Sequence, residues 1–158
     1  MKRFVLIALL ALVALVLAVS PVVARRLPGS DHGGRPFTTT LTGEAEVNAA
    51  GVPNQGDLDG IGTAIVTLNQ GQGEVCFEIS VSGITLPATA AHIHVAPATA
   101  PGPIVVPLAA PDANGFASGC VENVDPDLIK AIRQNPENYY VNVHNADFPA
   151  GALRGQLG

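Results

Sequence analysis

The sequence has no tryptophan, only two cysteines and little charge of either sign. Of its 158 residues 4% are aromatic and 13% are charged, with eight Lys and Arg against thirteen Asp and Glu in total. Proteins that bind nucleic acid or an anionic surface need clustered basic residues to neutralise phosphates, so we expect no nucleic-acid partner. Two cysteines without CxxC spacing exclude a disulfide-rich miniprotein and a cysteine-based zinc site.

The common signatures of catalysis are also missing. The chain has no G-x-S-x-G, no G-x-G-x-x-G and no H-E-x-x-H sequence. Its acids are scattered through the chain, without a pair that we would place in a cleft, and we expect each carboxylate to be solvated at the surface. We therefore expect a protein that is not an enzyme, and a hydrolase is the least favoured class.

The first 24 residues have the layout of a secretory signal peptide. Lys2 and Arg3 form a basic start, residues 4–19 are an uninterrupted apolar run, and Ala24 ends a stretch that suits a cleavage site. The apolar run is shorter than the roughly 20 residues that a helix needs to cross a bilayer. We expect cleavage after Ala24, secretion, and no membrane span in the mature chain.

Removal of this segment leaves 6 basic and 13 acidic residues, a net charge of −7. Residues 25–36, which include His32, are rich in Gly, Pro, Arg and Ser without periodicity, and we predict a flexible linker there. One domain is expected over residues 37–158. In an oxidising compartment Cys76 and Cys120 are expected to pair, and the loop that they close would contribute about 4 kcal/mol in the chain-entropy account.

Alternation of apolar and polar residues with a period of two predicts a domain of short strands. The predicted strands cover residues 37–47, 62–69, 74–82, 89–96, 104–106, 116–124, 139–144 and 152–157. Asp125 as an N-cap, Pro126 at the first helical position and a stop at Asn135 predict one short helix near residues 126–134. The fold class is therefore all-β, an antiparallel Greek-key β-sandwich or barrel.

The same alternation places several polar side chains on the face of the sheet opposite the aliphatic core. They are His92, His94, Asn142, His144, Arg154 and Gln156. A His-x-His pair on a strand separates two imidazoles by about 7 Å along the chain, a spacing that can chelate copper or zinc, and His144 is the candidate third ligand. The alternative is a polar cluster in which the imidazoles hydrogen-bond to neighbours and Arg154 pairs with a carboxylate.

Three segments resemble the CHRD domain, which was named for chordin and is widespread in exported bacterial proteins. They are FTTTLTGEAEV at residues 37–47, AHIH at residues 91–94, and YYVNVH at residues 139–144 followed by FPAGALRGQL at residues 148–157. The resemblance extends over essentially all of the expected domain. It implies an immunoglobulin-like or related all-β fold, secretion, and a non-enzymatic binding or structural role toward an unknown protein or surface ligand.

A second, weaker similarity concerns Cu/Zn superoxide dismutases, which are also Greek-key β-barrels with a disulfide. The order of residues at their copper site is similar to an order found here, namely His92-x-His94, then a later strand that ends in His144, and finally Arg154. The segment between His94 and Leu108 has no His or Asp, so their metal-bridging histidine and zinc loop have no counterpart here. The similarity implies a copper or zinc ion held by the three histidines, with superoxide chemistry as an extension.

Overall fold

The structure is a computed structural model that describes residue 34 and residues 36–158. The predicted signal peptide, nearly all of the predicted linker and His32 lie outside the described residues. The described chain forms the following elements in order: β1 (Pro36–Thr42), β2 (Ile61–Asn69), β3 (Glu74–Ser82), β4 (Ala90–Val95), β5 (Ile104–Leu108), β6 (Phe116–Val121), α1 (Pro126–Gln134), a 3₁₀ turn (Pro136–Asn138), β7 (Tyr139–His144) and β8 (Leu153–Gln156).

The eight strands form one antiparallel sheet in the order β5-β4-β7-β8-β1-β2-β3-β6. Strands β5 and β6 at its two ends approach each other, so the sheet curls into a nearly closed barrel. The predicted all-β antiparallel fold with one short helix is confirmed. Strands β4, β7 and β8 are consecutive in this order, which places the polar side chains of three distant segments next to one another.

Aliphatic side chains from many strands fill the interior. Leu41, Ile79, Ile93, Val141 and Leu153 come from five different strands and have no exposed surface. Full burial of an aliphatic side chain of this size contributes roughly 1.5–3 kcal/mol. Because branched aliphatic residues fill the core, the domain forms it without tryptophan.

The helix α1 has the bounds that the sequence predicts. The Asp125 side chain accepts a hydrogen bond of 2.9 Å from the backbone N–H of Asp127, and Pro126 occupies the first position, where its missing N–H is no loss. Ile129 and Ile132 are fully buried against the barrel core. Across the residues that the structure describes, no helix has the length and apolarity needed to cross a membrane.

The first strand is shorter than predicted. The sequence alternation continues to Val47, but β1 ends before Gly43, where the chain turns and the Gly43 carbonyl accepts a hydrogen bond of 3.2 Å from the Glu46 N–H. A Cβ at position 43 would lie 2.0 Å from the carbonyl oxygen of Asp57, so the close approach of these backbones requires glycine. The turn carries Glu46 into the protein, where it is 5% exposed. The prediction of a solvated carboxylate is wrong for this residue.

The two cysteines form a disulfide, as predicted. Cys76 on β3 lies directly opposite Cys120 on β6, with 44 residues of sequence separation. The bond ties β6, at one end of the strand order, to its neighbour β3. It therefore adds a covalent link to a strand that lies at the edge of the described sheet.

Loss of this disulfide is expected to lower the free energy of unfolding by about 2–4 kcal/mol, because the loop that it closes is long. The measurement is urea unfolding of the Cys76→Ser/Cys120→Ser variant, followed by far-UV circular dichroism. Each single serine variant serves as a control and should lose nearly as much as the double variant. An unchanged unfolding free energy, together with two titratable thiols in the denatured wild-type protein, would contradict the pairing.

Candidate metal centre

Strand register aligns the polar residues in rows across β4, β7 and β8. His92 lies opposite Asn142, and Asn142 lies opposite Arg154 on the next strand. In the adjacent row His94 lies opposite Tyr140. Because side chains alternate along a strand, these residues share one face of the sheet, and the aliphatic core occupies the other. The predicted assignment of faces is correct.

The three predicted histidine ligands lie together. Ring centroids are 5.1 Å apart for His92 and His144, 5.5 Å apart for His92 and His94, and 6.4 Å apart for His94 and His144. One ring nitrogen from each can be chosen so that all three lie within 4.8 Å of one another. Nitrogens bound to one tetrahedral ion at about 2.0–2.1 Å are about 3.4 Å apart, so metal binding requires the three rings to move toward one another.

Backbone carbonyls determine which nitrogen of two rings is available. His94 Nδ1 donates to the Gly102 carbonyl at 2.8 Å, and His144 Nδ1 donates to the Pro149 carbonyl at 3.0 Å. Both rings therefore present the lone pair of Nε2. His144 Nε2 lies 3.2 Å from His92 Nδ1, whereas His94 Nε2 is buried without a hydrogen-bond partner. Metal-bound histidines are commonly fixed in this way through the ring nitrogen that does not bind the ion.

The environment also favours the neutral form of the rings. Burial is the largest cause that lowers the pKa of each of the three histidines, and the neighbouring imidazoles His144 and His94 lower the pKa of His92 further. The hydrogen bonds to Gly102 and Pro149 oppose the shift for His94 and His144 but do not reverse it. Neutral imidazole is the form that binds a metal, so this site carries little penalty for proton release.

The described residues provide this site with three nitrogen ligands and no fourth His, Cys, Asp or Glu ligand. Imidazole suits zinc, copper, iron and nickel better than calcium or magnesium, which prefer oxygen. Three protein ligands with one free position are typical of a site that binds water or an external ligand on its ion. This donor set fits copper or zinc better than calcium or magnesium.

The family model of the CHRD domain matches residues 37–157, which is nearly the whole of the described chain. The chain belongs to the CHRD family. No curated protein and no solved structure matches it. The similarity to superoxide dismutases thus remains a prediction from the order of residues.

Part of the polar face of this CHRD domain is buried, which alternation alone does not reveal. Arg154 is 1% exposed and Asn142 is 2% exposed. The connection between β4 and β5 lies over Arg154, whose guanidinium donates to the carbonyls of Pro97 at 2.8 Å and Ala100 at 3.1 Å. Arg154 is thus held by backbone carbonyls and by Gln156 Oε1, and within the described residues none of its hydrogen bonds goes to a carboxylate.

Glu46 belongs to the same polar cluster and was missed from the sequence. Asn142 donates from Nδ2 to Glu46 Oε1, and Asn142 lies opposite His92 in the sheet. The Glu46 carboxyl group is therefore linked to the histidine site through Asn142. Burial raises the Glu46 pKa from 4.5 to about 7, and the charge of Arg154 and the Asn142 hydrogen bond only partly oppose this shift. Period-two alternation assigned this glutamate to an exposed strand face, and no local feature of the sequence pointed to its burial.

The buried Glu46 carboxylate is expected to destabilise the domain at alkaline pH. Its pKa is higher in the folded than in the unfolded protein, so the folded state binds more protons between about pH 4.5 and 7 and loses stability as the pH rises through that window. Glu46→Gln keeps the shape and an acceptor for Asn142 without the charge. We expect this variant to exceed wild type in unfolding free energy by on the order of 2 kcal/mol at pH 8 and by much less at pH 4.5.

Urea unfolding at both pH values measures this difference. Because the histidines titrate alike in both proteins, the difference between the variant and wild type isolates Glu46. The exposed neighbour Glu44 gives the control variant Glu44→Gln, which should leave the unfolding free energy unchanged. If Glu46→Gln is instead less stable than wild type by the same amount at pH 4.5 and pH 8, the Glu46 carboxylate does not destabilise the folded state.

Proposed function

We propose that this CHRD domain is a non-enzymatic, secreted binding module that holds one copper or zinc ion through His92, His94 and His144. The observation that carries the proposal is the convergence of three ring nitrogens within 4.8 Å, with two of the rings fixed by backbone carbonyls. Export is supported by the sequence of residues 1–24. The disulfide is consistent with an oxidising compartment.

The unpaired His94 Nε2 is the strongest indication of a ligand. The histidine is 8% exposed, and this nitrogen has no hydrogen-bond partner in the described chain. A buried polar atom without a partner costs about 1–3 kcal/mol, so most are satisfied. A bound metal ion would use the lone pair that the hydrogen bond to Gly102 leaves on this atom.

The free coordination position gives the module a way to bind its partner. An ion held by three imidazoles binds water at the fourth position, or a donor group from a protein or surface ligand. His92 and His144 are only partly buried, which leaves one side of the site accessible. We therefore place the contact with an external ligand on that side.

The alternative is a hydrogen-bonded cluster without metal, and one contact favours it. His92 Nδ1 lies 3.2 Å from His144 Nε2, the distance of an ordinary hydrogen bond between two rings. Such a bond satisfies these two histidines but leaves His94 Nε2 without a partner. The metal site accounts for all three rings.

Titration calorimetry with Zn(II) and Cu(II) tests the proposal. The metal-stripped protein is expected to bind one ion, and His94→Gln or His144→Gln is expected to weaken binding by more than about 100-fold because each removes one of three ligands. His32→Gln is the matched control and should bind like wild type, since His32 lies outside the predicted domain. Affinity should fall as the pH is lowered below the ordinary histidine range, because burial lowers the pKa of these rings and protons then compete for the same nitrogens.

Circular dichroism of each variant shows whether it keeps the β fold. The proposal is wrong if the folded wild-type protein binds neither metal. It is equally wrong if binding occurs but survives the loss of both His94 and His144, because the ion would then lie elsewhere.

A further inference from the structure

Three side chains form a stack that runs from the buried Arg154 to the histidine site. The guanidinium carbon of Arg154 lies 3.5 Å from the ring centroid of Tyr140. The rings of Tyr140 and His94 are stacked, with centroids 4.8 Å apart and an angle of 8° between their planes. These residues belong to β8, β7 and β4, which are consecutive in the sheet, so Tyr140 lies between the other two.

The same arginine holds the loop of residues 96–103, which connects β4 to β5. Its Nη atoms donate to the Pro97 and Ala100 carbonyls at 2.8–3.1 Å, and it also donates to Gln156 Oε1. Gln156 in turn donates to the Ala96 carbonyl at 3.1 Å. A planar guanidinium with five N–H donors can contact several carbonyls at once, a geometry that an ammonium group does not reproduce.

This loop also carries Gly102, the residue that orients His94. The Gly102 carbonyl accepts the hydrogen bond from His94 Nδ1 at 2.8 Å, and its N–H donates to the Tyr140 hydroxyl at 3.2 Å. A Cβ at position 102 would lie 2.0 Å from the Val95 carbonyl oxygen, so the loop is packed closely onto β4. The position of one carbonyl thus decides which nitrogen of His94 carries the proton.

We propose that Arg154 is a positioning residue for the metal ligand His94. It acts through the stacked Tyr140 ring and through the loop that carries Gly102, and it keeps the proton on Nδ1 so that Nε2 is free to bind the ion. This inference rests on the proposed metal site for its effect on affinity. The tautomer of His94 is a separate consequence that exists without any metal.

The change in metal affinity on replacing Arg154 has opposite signs if the residue acts by positioning His94 and if it acts through its charge. A fixed positive charge near the site repels a metal cation, so if charge alone mattered its removal would strengthen binding. If Arg154 acts by holding the loop, both Arg154→Lys and Arg154→Gln weaken binding, although the lysine keeps the charge. The lysine variant is the informative one because only its hydrogen-bonding geometry and stacking change.

The experiment measures two quantities on the full chain. The first is the dissociation constant for Zn(II), which we expect to rise about 10- to 100-fold in Arg154→Lys, as is typical when a residue that orients a ligand is changed. The second is the proton position on His94 in the metal-free protein, from long-range ¹H–¹⁵N spectra. Wild type should show Nδ1–H alone, and Arg154→Lys a mixture of both tautomers.

Two further variants keep the test decisive. Arg133→Lys is the matched control because Arg133 is exposed on α1 and donates to Gln70, and it should change neither quantity. Tyr140→Phe keeps the stacked ring but removes the acceptor for the Gly102 N–H, and we expect it to shift the His94 tautomer in the same direction as Arg154→Lys. If Arg154→Lys does not fold, Tyr140→Phe decides the question.

The inference is overturned if His94 keeps its wild-type tautomer in Arg154→Lys, or in Tyr140→Phe where the lysine variant does not fold. It is also overturned if Arg154→Lys binds zinc like wild type while Arg154→Gln binds more tightly, since charge alone would then explain the effect. If wild type binds no metal but the tautomer shifts as expected, the metal proposal fails and the positioning of His94 by Arg154 stands.

Discussion

A guanidinium with almost no exposed surface must find acceptors for its N–H groups, and the arrangement around Arg154 follows from this constraint. Its acceptors are backbone carbonyls of residues 97 and 100 together with the Gln156 side chain. The loop of residues 96–103 therefore lies over the polar face of the sheet. The same loop supplies the carbonyl that orients His94, which links a requirement of burial to the geometry of the candidate metal site.

At β7 and β8 the sheet is buried on both faces, but by different means. On the inner face branched aliphatic side chains pack together, and their burial stabilises the fold. On the outer face Tyr140, Asn142 and Arg154 are covered by loops, and their burial is tolerated because hydrogen bonds and stacking satisfy most of their polar groups. Glu46 is the exception, since burial raises its pKa to about 7.

The sequence predicted the strands whose alternation is regular and the helix whose ends carry capping residues. The bounds of β3, β7 and α1 are those predicted, because period-two patterning and the Asp125 cap are local signals. The three histidines could be assigned to one face by alternation, but their proximity depends on β4 pairing with β7 across some 50 residues, which no local pattern encodes. Glu46 was misplaced for a related reason, since the turn at Gly43 depends on a close contact with the distant Asp57 backbone.

The central claim is that His92, His94 and His144 bind one ion in this CHRD domain. Anomalous diffraction at the zinc edge from zinc-soaked crystals tests it most directly, because it locates the metal independently of affinity. The account predicts one strong peak about 2.0–2.1 Å from His92 Nδ1, His94 Nε2 and His144 Nε2. A peak away from these atoms, or none while His92 and His144 keep their mutual hydrogen bond, would contradict it.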